Sequence, residues 1–331
     1  MVEAQLLELD NVTKRFPAGG FIKKKYVTAV EDVAFGMPED RPSILTIAGE
    51  SGSGKTTIAK LILGLLTPTY GEIRYKGKSI QRMKRSEWKA YRRETQAVFQ
   101  DPYSIYNPFY RIDRVLQIPV RRFDLTSSSE EEHELIIKSM EAVGLRPSDI
   151  LGRYPHQLSG GERQRLMLAR LLAIKPKLIV ADEPISMIDV SLRAMFLNTL
   201  LEFNKQYGMS CIFITHNLTN AYYLGGDIII LCRGRAIEKG DIDSIVKKPL
   251  HPYTKVLISA IPHTTPKERW TDRLELEVTG ITEPEEAVRG CVYCERCTSA
   301  TEKCWKQKPR LIEAEKNHYA ACFLYGENLH T

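Results

Sequence analysis

The string Gly49-Glu50-Ser51-Gly52-Ser53-Gly54-Lys55-Thr56 constrains this chain more than any other feature, because of what flanks it. Residues 44–48 before it are a short apolar run suited to a buried strand, and residues 58–66 after it place apolar side chains at helical spacing. A strand that turns through three glycines into a helix leaves backbone N–H groups directed into the turn, where the positive end of the helix dipole also points. Such a turn binds phosphate. Gly49, Ser51, Gly52, Ser53 and Gly54 are the candidate wall of that cradle, Lys55 the counter-charge for β/γ oxygens, Thr56 the hydroxyl ligand of Mg²⁺, and Thr57 a contact for the α-phosphate. ATP with Mg²⁺ is the expected ligand.

A second string supplies what hydrolysis requires. Residues 178–181 (Leu-Ile-Val-Ala) form another apolar strand, which delivers Asp182 toward Mg²⁺ and Glu183 toward an attacking water. Adjacent carboxylates at a strand end are commonplace, so their weight here depends on the phosphate loop upstream. Residues 178–181 and 211–214 each follow a helical segment, the pattern of buried parallel strands joined by crossover helices. The opening is β-rich, with strands expected over residues 6–12 and 27–35. Residues 127–143 begin with Ser and Glu and place Leu135, Ile136, Met140 and Val143 at helical spacing, which predicts a helical insert in the middle of the chain. After Pro262 the chain becomes rich in proline, charge and cysteine without periodicity.

Leu158-Ser159-Gly160-Gly161-Glu162-Arg163-Gln164-Arg165 is similar to the signature of ABC ATPases, and the other parts of that family follow in order: Gln100 after 97–99, Asp189 after Ser186-Met187-Ile188, and His216 after 211–215. The chain is thereby identified as a member of the ABC ATPases. The resemblance implies an α/β P-loop NTPase domain over 1–260, with a β-rich N-terminal subdomain, a helical subdomain at 101–172, and a Cys-rich C-terminal extension over 261–331. It implies that Gln100 senses Mg²⁺ and the water, that Asp189 links two dimer sites, and that His216 contacts the γ-phosphate. Ser159, Gly160 and Gly161 would act in trans on the partner's nucleotide. Phe16 aligns with the ring that stacks on adenine, with Tyr26 as the alternative. Two departures from the family pattern are Asn217, where Asp is common, with an expected effect on hydrolysis rate, and Glu162, where Gln is common.

Gln100-Asp101-Pro102-Tyr103-Ser104-Ile105-Tyr106-Asn107-Pro108, Tyr154-Pro155-His156-Gln157 and Pro249-Leu250-His251-Pro252-Tyr253-Thr254-Lys255 resemble strings of the oligopeptide/dipeptide importer branch. The branch implies two transmembrane permease subunits docked at residues 103–109, a second ABC ATPase subunit (a related chain or a second copy), and an extracellular substrate-binding protein engaged indirectly. The alternative within the branch is the same role for oligosaccharides, and a distant alternative is a soluble ABC ATPase acting on nucleic acid or the ribosome. Cys291, Cys297, Cys304 and Cys322 match the spacing of the branch's C-terminal tail, which in some members holds a [4Fe–4S] cluster. Cys294 is additional and leaves open another ligation or a Zn²⁺ site.

Composition narrows the setting. The chain has 331 residues, 43% hydrophobic, enough for a large core. Glu3, Glu8, Asp10 and Lys14 interrupt any N-terminal apolar core, and no run of about 18 apolar residues follows. The expected location is the cytoplasmic face of the cell membrane, reached through partners. Its 47 basic and 41 acidic residues give +6, with clusters at Lys23 to Lys25 and between Arg82 and Arg93, too small a bias to make nucleic acid an expected partner.

Overall fold

The computed structural model describes residues 4–18, 25–99, 106–186, 190–260 and 289–325. In chain order its elements are β1 (Gln5–Pro17), β2 (Tyr26–Pro38), β3 (Ile44–Ala48), α1 (Lys55–Ile62), β4 (Tyr70–Tyr75), β5 (Lys78–Ser79), α2 (Arg85–Glu94), β6 (Thr95–Val98), α3 (Ile112–Arg122), α4 (Ser129–Ala142), α5 (Pro147–Ile150) and α6 (Gly160–Ile174). They continue with β7 (Leu178–Asp182), α7 (Val190–Tyr207), β8 (Ser210–Thr215), α8 (Leu218–Leu224), β9 (Asp227–Cys232), β10 (Arg235–Asp241), α9 (Ile242–Lys247), α10 (Pro252–Ser259), α11 (Glu302–Lys306), β11 (Ile312–Glu315) and β12 (His318–Ala320).

Alternation along the first strands builds one sheet. Leu7, Leu9 and Val12 of β1 and Val30, Val33, Phe35 and Met37 of β2 are buried, while residues between them reach solvent. The antiparallel order is β2-β1-β4-β5. The second sheet runs β11-β12-β10-β9-β3-β8-β7-β6. Its five strands β9, β3, β8, β7 and β6 are mutually parallel. Every residue of β3, β7 and β8 is buried, which is why these strands read as unbroken apolar runs rather than alternations.

The helical insert lies over α3 to α6, where Ile112, Leu116, Ile136, Met140 and Leu166 share a core. Its helix α4 starts where the sequence places it: the Ser128 hydroxyl accepts the Glu131 N–H at 3.1 Å, and Glu130, Glu131 and Glu132 occupy the positive first turn. The helix after the phosphate loop is shorter than the apolar spacing predicts. It ends at Ile62, and Gly64 turns the chain with φ +66 where a Cβ would come within 2.2 Å of the Trp88 ring.

The described part of the C-terminal segment returns to the main sheet. β12 pairs with β10 through Glu238↔Ala320 and Lys239↔Tyr319, and Cys291, Val292, Tyr293 and Cys294 pack in one core with Ala48, Ile228 and Tyr253. Glu238, wholly buried, holds this junction: it accepts the N–H groups of Leu250 and His251 at 2.8 and 2.9 Å, and His318 Nε2 lies 2.7 Å from its Oε1. Replacing Glu238 by Ala strands two N–H donors and a buried imidazole, so we expect a loss of about 3–5 kcal/mol, read from the urea midpoint. Glu238→Gln keeps an acceptor and should lose less; an unchanged midpoint for Glu238→Ala would refute the role.

Candidate functional site

Strand β3 gives way at Gly49, the first position where no other residue fits: its φ is +155, and a Cβ there would meet the Leu231 carbonyl oxygen at 2.2 Å. Gly54, with φ +100, closes the loop against the Ala29 carbonyl and starts α1. Between them the chain curls around Lys55, whose ammonium is buried and donates to the carbonyls of Gly49 and Glu50, each at 2.8 Å. Burial lowers the Lys55 pKa, against the opposing pull of Glu183, Asp182 and Glu50. Ser51, Gly52 and Thr56 are exposed and Thr57 is half-buried, while the Ser53 hydroxyl is buried with no hydrogen-bond partner among the described residues. An orphaned hydroxyl, an ammonium and a helix N-terminus around one loop form a donor set that fits a polyphosphate.

Parallel pairing carries the acidic groups to the same edge. Asp182 at the end of β7 lies beside Ile214, and Ala48 beside Thr215, so strands β3, β7 and β8 deliver their C-terminal residues together. Asp182 Oδ1 accepts the Thr56 hydroxyl at 3.4 Å. That hydroxyl and carboxylate on either side of one gap are oxygen ligands of the type Mg²⁺ takes. Glu183 sits at φ +46, held by its N–H to the Ile214 carbonyl at 3.0 Å, and its Oε2 lies 3.1 Å from His216 Nδ1. An ionised carboxylate only accepts, so this contact puts the proton on Nδ1 and leaves Nε2 of a neutral His216 as an acceptor.

Other expected residues lie apart or outside. Gln100 and Asp189 are outside the described residues, as are Tyr103, Ser104 and Ile105. Ser159 begins α6 in a capping box: its hydroxyl accepts the Glu162 N–H at 3.3 Å, and Glu162 Oε2 accepts the Ser159 N–H at 2.7 Å. Glu162, a departure at sequence level, is thus the partner of the signature serine, whose hydroxyl also donates to Glu162 Oε2 at 2.7 Å and, with the Ser159 N–H, holds that carboxyl below the usual range. Gly161 lies against α7, where a Cβ would meet Leu192 at 2.9 Å. Asn217 serves as the cap of α8, accepting the Thr219 N–H at 2.9 Å. Phe16, half-buried, faces Val27, and the exposed Tyr26 faces Pro17 at the same end of the β1–β2 pair.

Three residues to which the sequence assigns no site role complete the site. The buried Gln164 donates to the Pro184 carbonyl at 2.9 Å, tying α6 to the turn after Glu183. Tyr253 Oη accepts the Glu50 N–H at 2.9 Å, and Arg296 pairs with the Glu50 carboxylate. Only long-range pairing across the fold brings the last two to the loop.

Burial is the largest influence on Asp182 and raises its pKa above 3.8. A carboxyl with a raised folded-state pKa favours folding below its unfolded pKa, and that contribution is lost as pH rises through the folded value. At neutral pH the ionised Asp182 therefore costs stability in the free protein. We expect Asp182→Asn to raise the denaturation midpoint at pH 7, with the gain shrinking as the pH falls through the acidic carboxylate range; a loss at pH 7 would contradict this.

The sequence profile of the ABC transporter family matches residues 30–186, and the profile described as oligopeptide/dipeptide transporter, C-terminal region, matches residues 237–304. The chain is 38% identical over 322 residues to the dipeptide transport ATP-binding protein DppF of Haemophilus influenzae, covering 96% of each. It is 37% identical over 302 residues to the oligopeptide transport ATP-binding protein OppF of the same organism, covering 91% of this chain and 90% of that one. Among solved structures, the dimeric post-hydrolysis state of the ATP-binding cassette MJ0796 bound to ADP and Pi superposes with a TM-score of 0.62 at 26% identity, covering 71% of this chain and 98% of that one. Loop, carboxylates and histidine at one sheet edge, with these relatives, place the chain in the ABC transporter family, among its dipeptide and oligopeptide transport ATP-binding proteins.

Proposed function

We propose that this chain hydrolyses ATP to drive import of oligopeptides or dipeptides, bound at the cytoplasmic face of the membrane to two permease subunits, with a substrate-binding protein serving them outside. The observation that carries it is the convergence of Lys55, Thr56, Asp182, Glu183 and His216 on one sheet edge. Lys55 exchanges its two loop carbonyls for phosphate oxygens, and Thr56, Asp182 and Gln100 are the residues that would hold Mg²⁺. When bound, Mg²⁺ supplies charge neutralisation at the transferring phosphoryl group. Glu183, released from His216, takes a proton from the attacking water, and His216 turns to the γ-phosphate. Phe16, with Tyr26 as the alternative, stacks on the base. Ser159, Gly160 and Gly161 close on the nucleotide of a second ATPase subunit, with Asp189 linking the two sites.

Permease docking has a fitting surface. No helix among the described residues is long and apolar enough to cross a membrane. A cavity of about 590 Å³ opens between β6 and α3, lined by Phe99, Tyr106, Tyr110, Val115 and Ile118. Beside it, Phe109 is 84% exposed. An apolar groove next to a bare aromatic ring suits a short amphipathic helix from a membrane subunit.

The C-terminal cysteines belong to the same reading. Cys291, Cys294, Cys297, Cys304 and Cys322 all line one cavity of about 210 Å³. Among the described residues no three His, Cys, Asp or Glu side chains already stand at metal-holding positions. Burial pushes the Cys291 thiol up to about 11 and also raises Cys294, Cys297 and Cys322, so binding would release protons. Five thiols on one cavity fit a [4Fe–4S] cluster held by Cys291, Cys297, Cys304 and Cys322, with Cys294 as an alternative ligand and Zn²⁺ as the alternative metal. The group would supply a cross-link for this small segment.

Glu183→Gln should lower ATP turnover roughly 10²–10⁴-fold while sparing ATP binding, and Lys55→Ala should abolish tight binding; near-normal turnover of the first would remove Glu183 from its role. Turnover of the wild type should rise with co-expressed permease subunits. For the cysteines, anaerobically purified protein should absorb broadly in the visible and contain iron and sulfide, lost in Cys297→Ser. Colourless protein with stoichiometric zinc would favour Zn²⁺, and neither metal would end the proposal.

A further inference from the structure

Two neighbours inside the cysteine segment grip the phosphate loop. Arg296 meets Glu50 as a fork, Nη1 to Oε2 at 2.9 Å and Nη2 to Oε1 at 3.0 Å, across 246 positions of sequence. Glu295 pairs with Arg233 at 2.8 Å, and the adjoining Gly234 donates its N–H to the Ser53 carbonyl at 3.0 Å. The loop is thus held at Glu50 directly and at Ser53 through one intermediary. A third support comes from below: Tyr253, fully buried, accepts the Glu50 N–H, and its ring meets Tyr293 edge-on at 5.3 Å. Tyr293, Glu295 and Arg296 all stand between Cys291 and Cys297.

A bidentate guanidinium–carboxylate pair fixes orientation as well as distance. Glu50 is also the residue whose carbonyl accepts Lys55. Whatever fixes the backbone at Glu50 therefore sets where the ammonium waits and how the N–H groups of the loop are directed before a phosphate arrives. Preorganisation of that kind acts on binding, since a loop already shaped for its ligand loses less freedom on taking it.

We propose that Arg296 is a positioning residue for the nucleotide site: from the cysteine segment it holds Glu50, and through it the phosphate loop, in the nucleotide-accepting shape. The proposal rests on the ATP-binding reading and is independent of what the cysteines hold. Because Arg296 lies between Cys294 and Cys297, any event that orders or disorders those thiols reaches the loop by the same fork.

The test compares full-length wild type, Arg296→Ala, Arg296→Lys, Glu50→Gln and the Arg296→Ala/Glu50→Gln double variant. A fluorescent ATP analogue reports binding, and steady-state kinetics separate KM from kcat. We expect Arg296→Ala to weaken nucleotide binding roughly three- to fivefold, the scale of a well-formed, partly exposed pair, with the loss in KM rather than kcat. Arg296→Lys should recover part of it, and Arg296→Ala should add nothing in the Glu50→Gln background. Unchanged affinity in Arg296→Ala, a loss confined to kcat, or an undiminished further loss in the Glu50→Gln background would each overturn the proposal. Should Arg296→Ala fail to fold, Glu50→Gln carries the test: it must weaken binding to a similar degree, and wild-type affinity would overturn the role. Failure of the wild type to bind the analogue would defeat the ATP reading itself, whereas wild-type binding lost in Lys55→Ala but indifferent to Arg296 would defeat only the positioning role.

Discussion

A buried ammonium organises this molecule. Lys55 opens α1 and turns its ammonium back to the loop just past the central strand β3, where an unpaired cation would be prohibitively costly. Its two carbonyl partners come from the loop that precedes it, and the carboxylates that draw on its charge come from the end of β7. Those groups can meet only because β3, β7 and β8 are parallel and in register, so that their C-terminal ends share an edge. The crossover helices that parallel strands require, α6 among them, then cover the faces of the sheet. Charge compensation at one point and topology of the whole are therefore the same requirement.

The acidic side of this balance is incomplete by design of the fold. Asp182 is buried with the Thr56 hydroxyl as its hydrogen-bond partner among the described residues, and Glu183 occupies the left-handed region without being glycine. Its backbone stays there because its N–H is taken by Ile214 and its side chain meets His216. Both features weigh against stability in the free protein, and a cation in the gap would offset the first. A site that binds charged ligands is expected to carry such uncompensated groups.

Much of this was legible in short strings because the physics is local. A strand, a glycine turn and a helix N-terminus occupy consecutive residues. Boundaries set by tertiary contact were less visible: Gly64 ends α1 four residues before its apolar spacing stops, because Trp88 fills the space where a side chain would go. The return of the C-terminal segment to the sheet was not legible either. β12 has three residues, too few for a periodic signal, and the partners that fix it, Glu238 and His318, are an ordinary acid and an ordinary histidine in sequence. Glu50 and Arg296 are likewise unremarked surface types until the fold sets them face to face.

In the proposed transport cycle, helix α6 would carry chemistry at the nucleotide edge to the apolar groove. Its 15 residues span about 22 Å as one rigid rod. At its start Ser159 faces the site of a second subunit in the proposed dimer. One turn on, Gln164 holds the carbonyl of Pro184, next to Glu183 and its backbone strain. On another face the Arg163 carbonyl accepts the buried Tyr106 hydroxyl at 2.9 Å, and Arg170 donates to Gln96 at 3.1 Å, and Tyr106, Gln96 and Arg170 all line the apolar groove. A packed helix moves as a body rather than bending residue by residue, so a shift of the turn after β7 and a shift of the groove wall cannot be independent. Under the proposed transport role, coupling between hydrolysis and transport would need no separate relay, because the element that presents the signature serine is also the wall against which a membrane subunit would press.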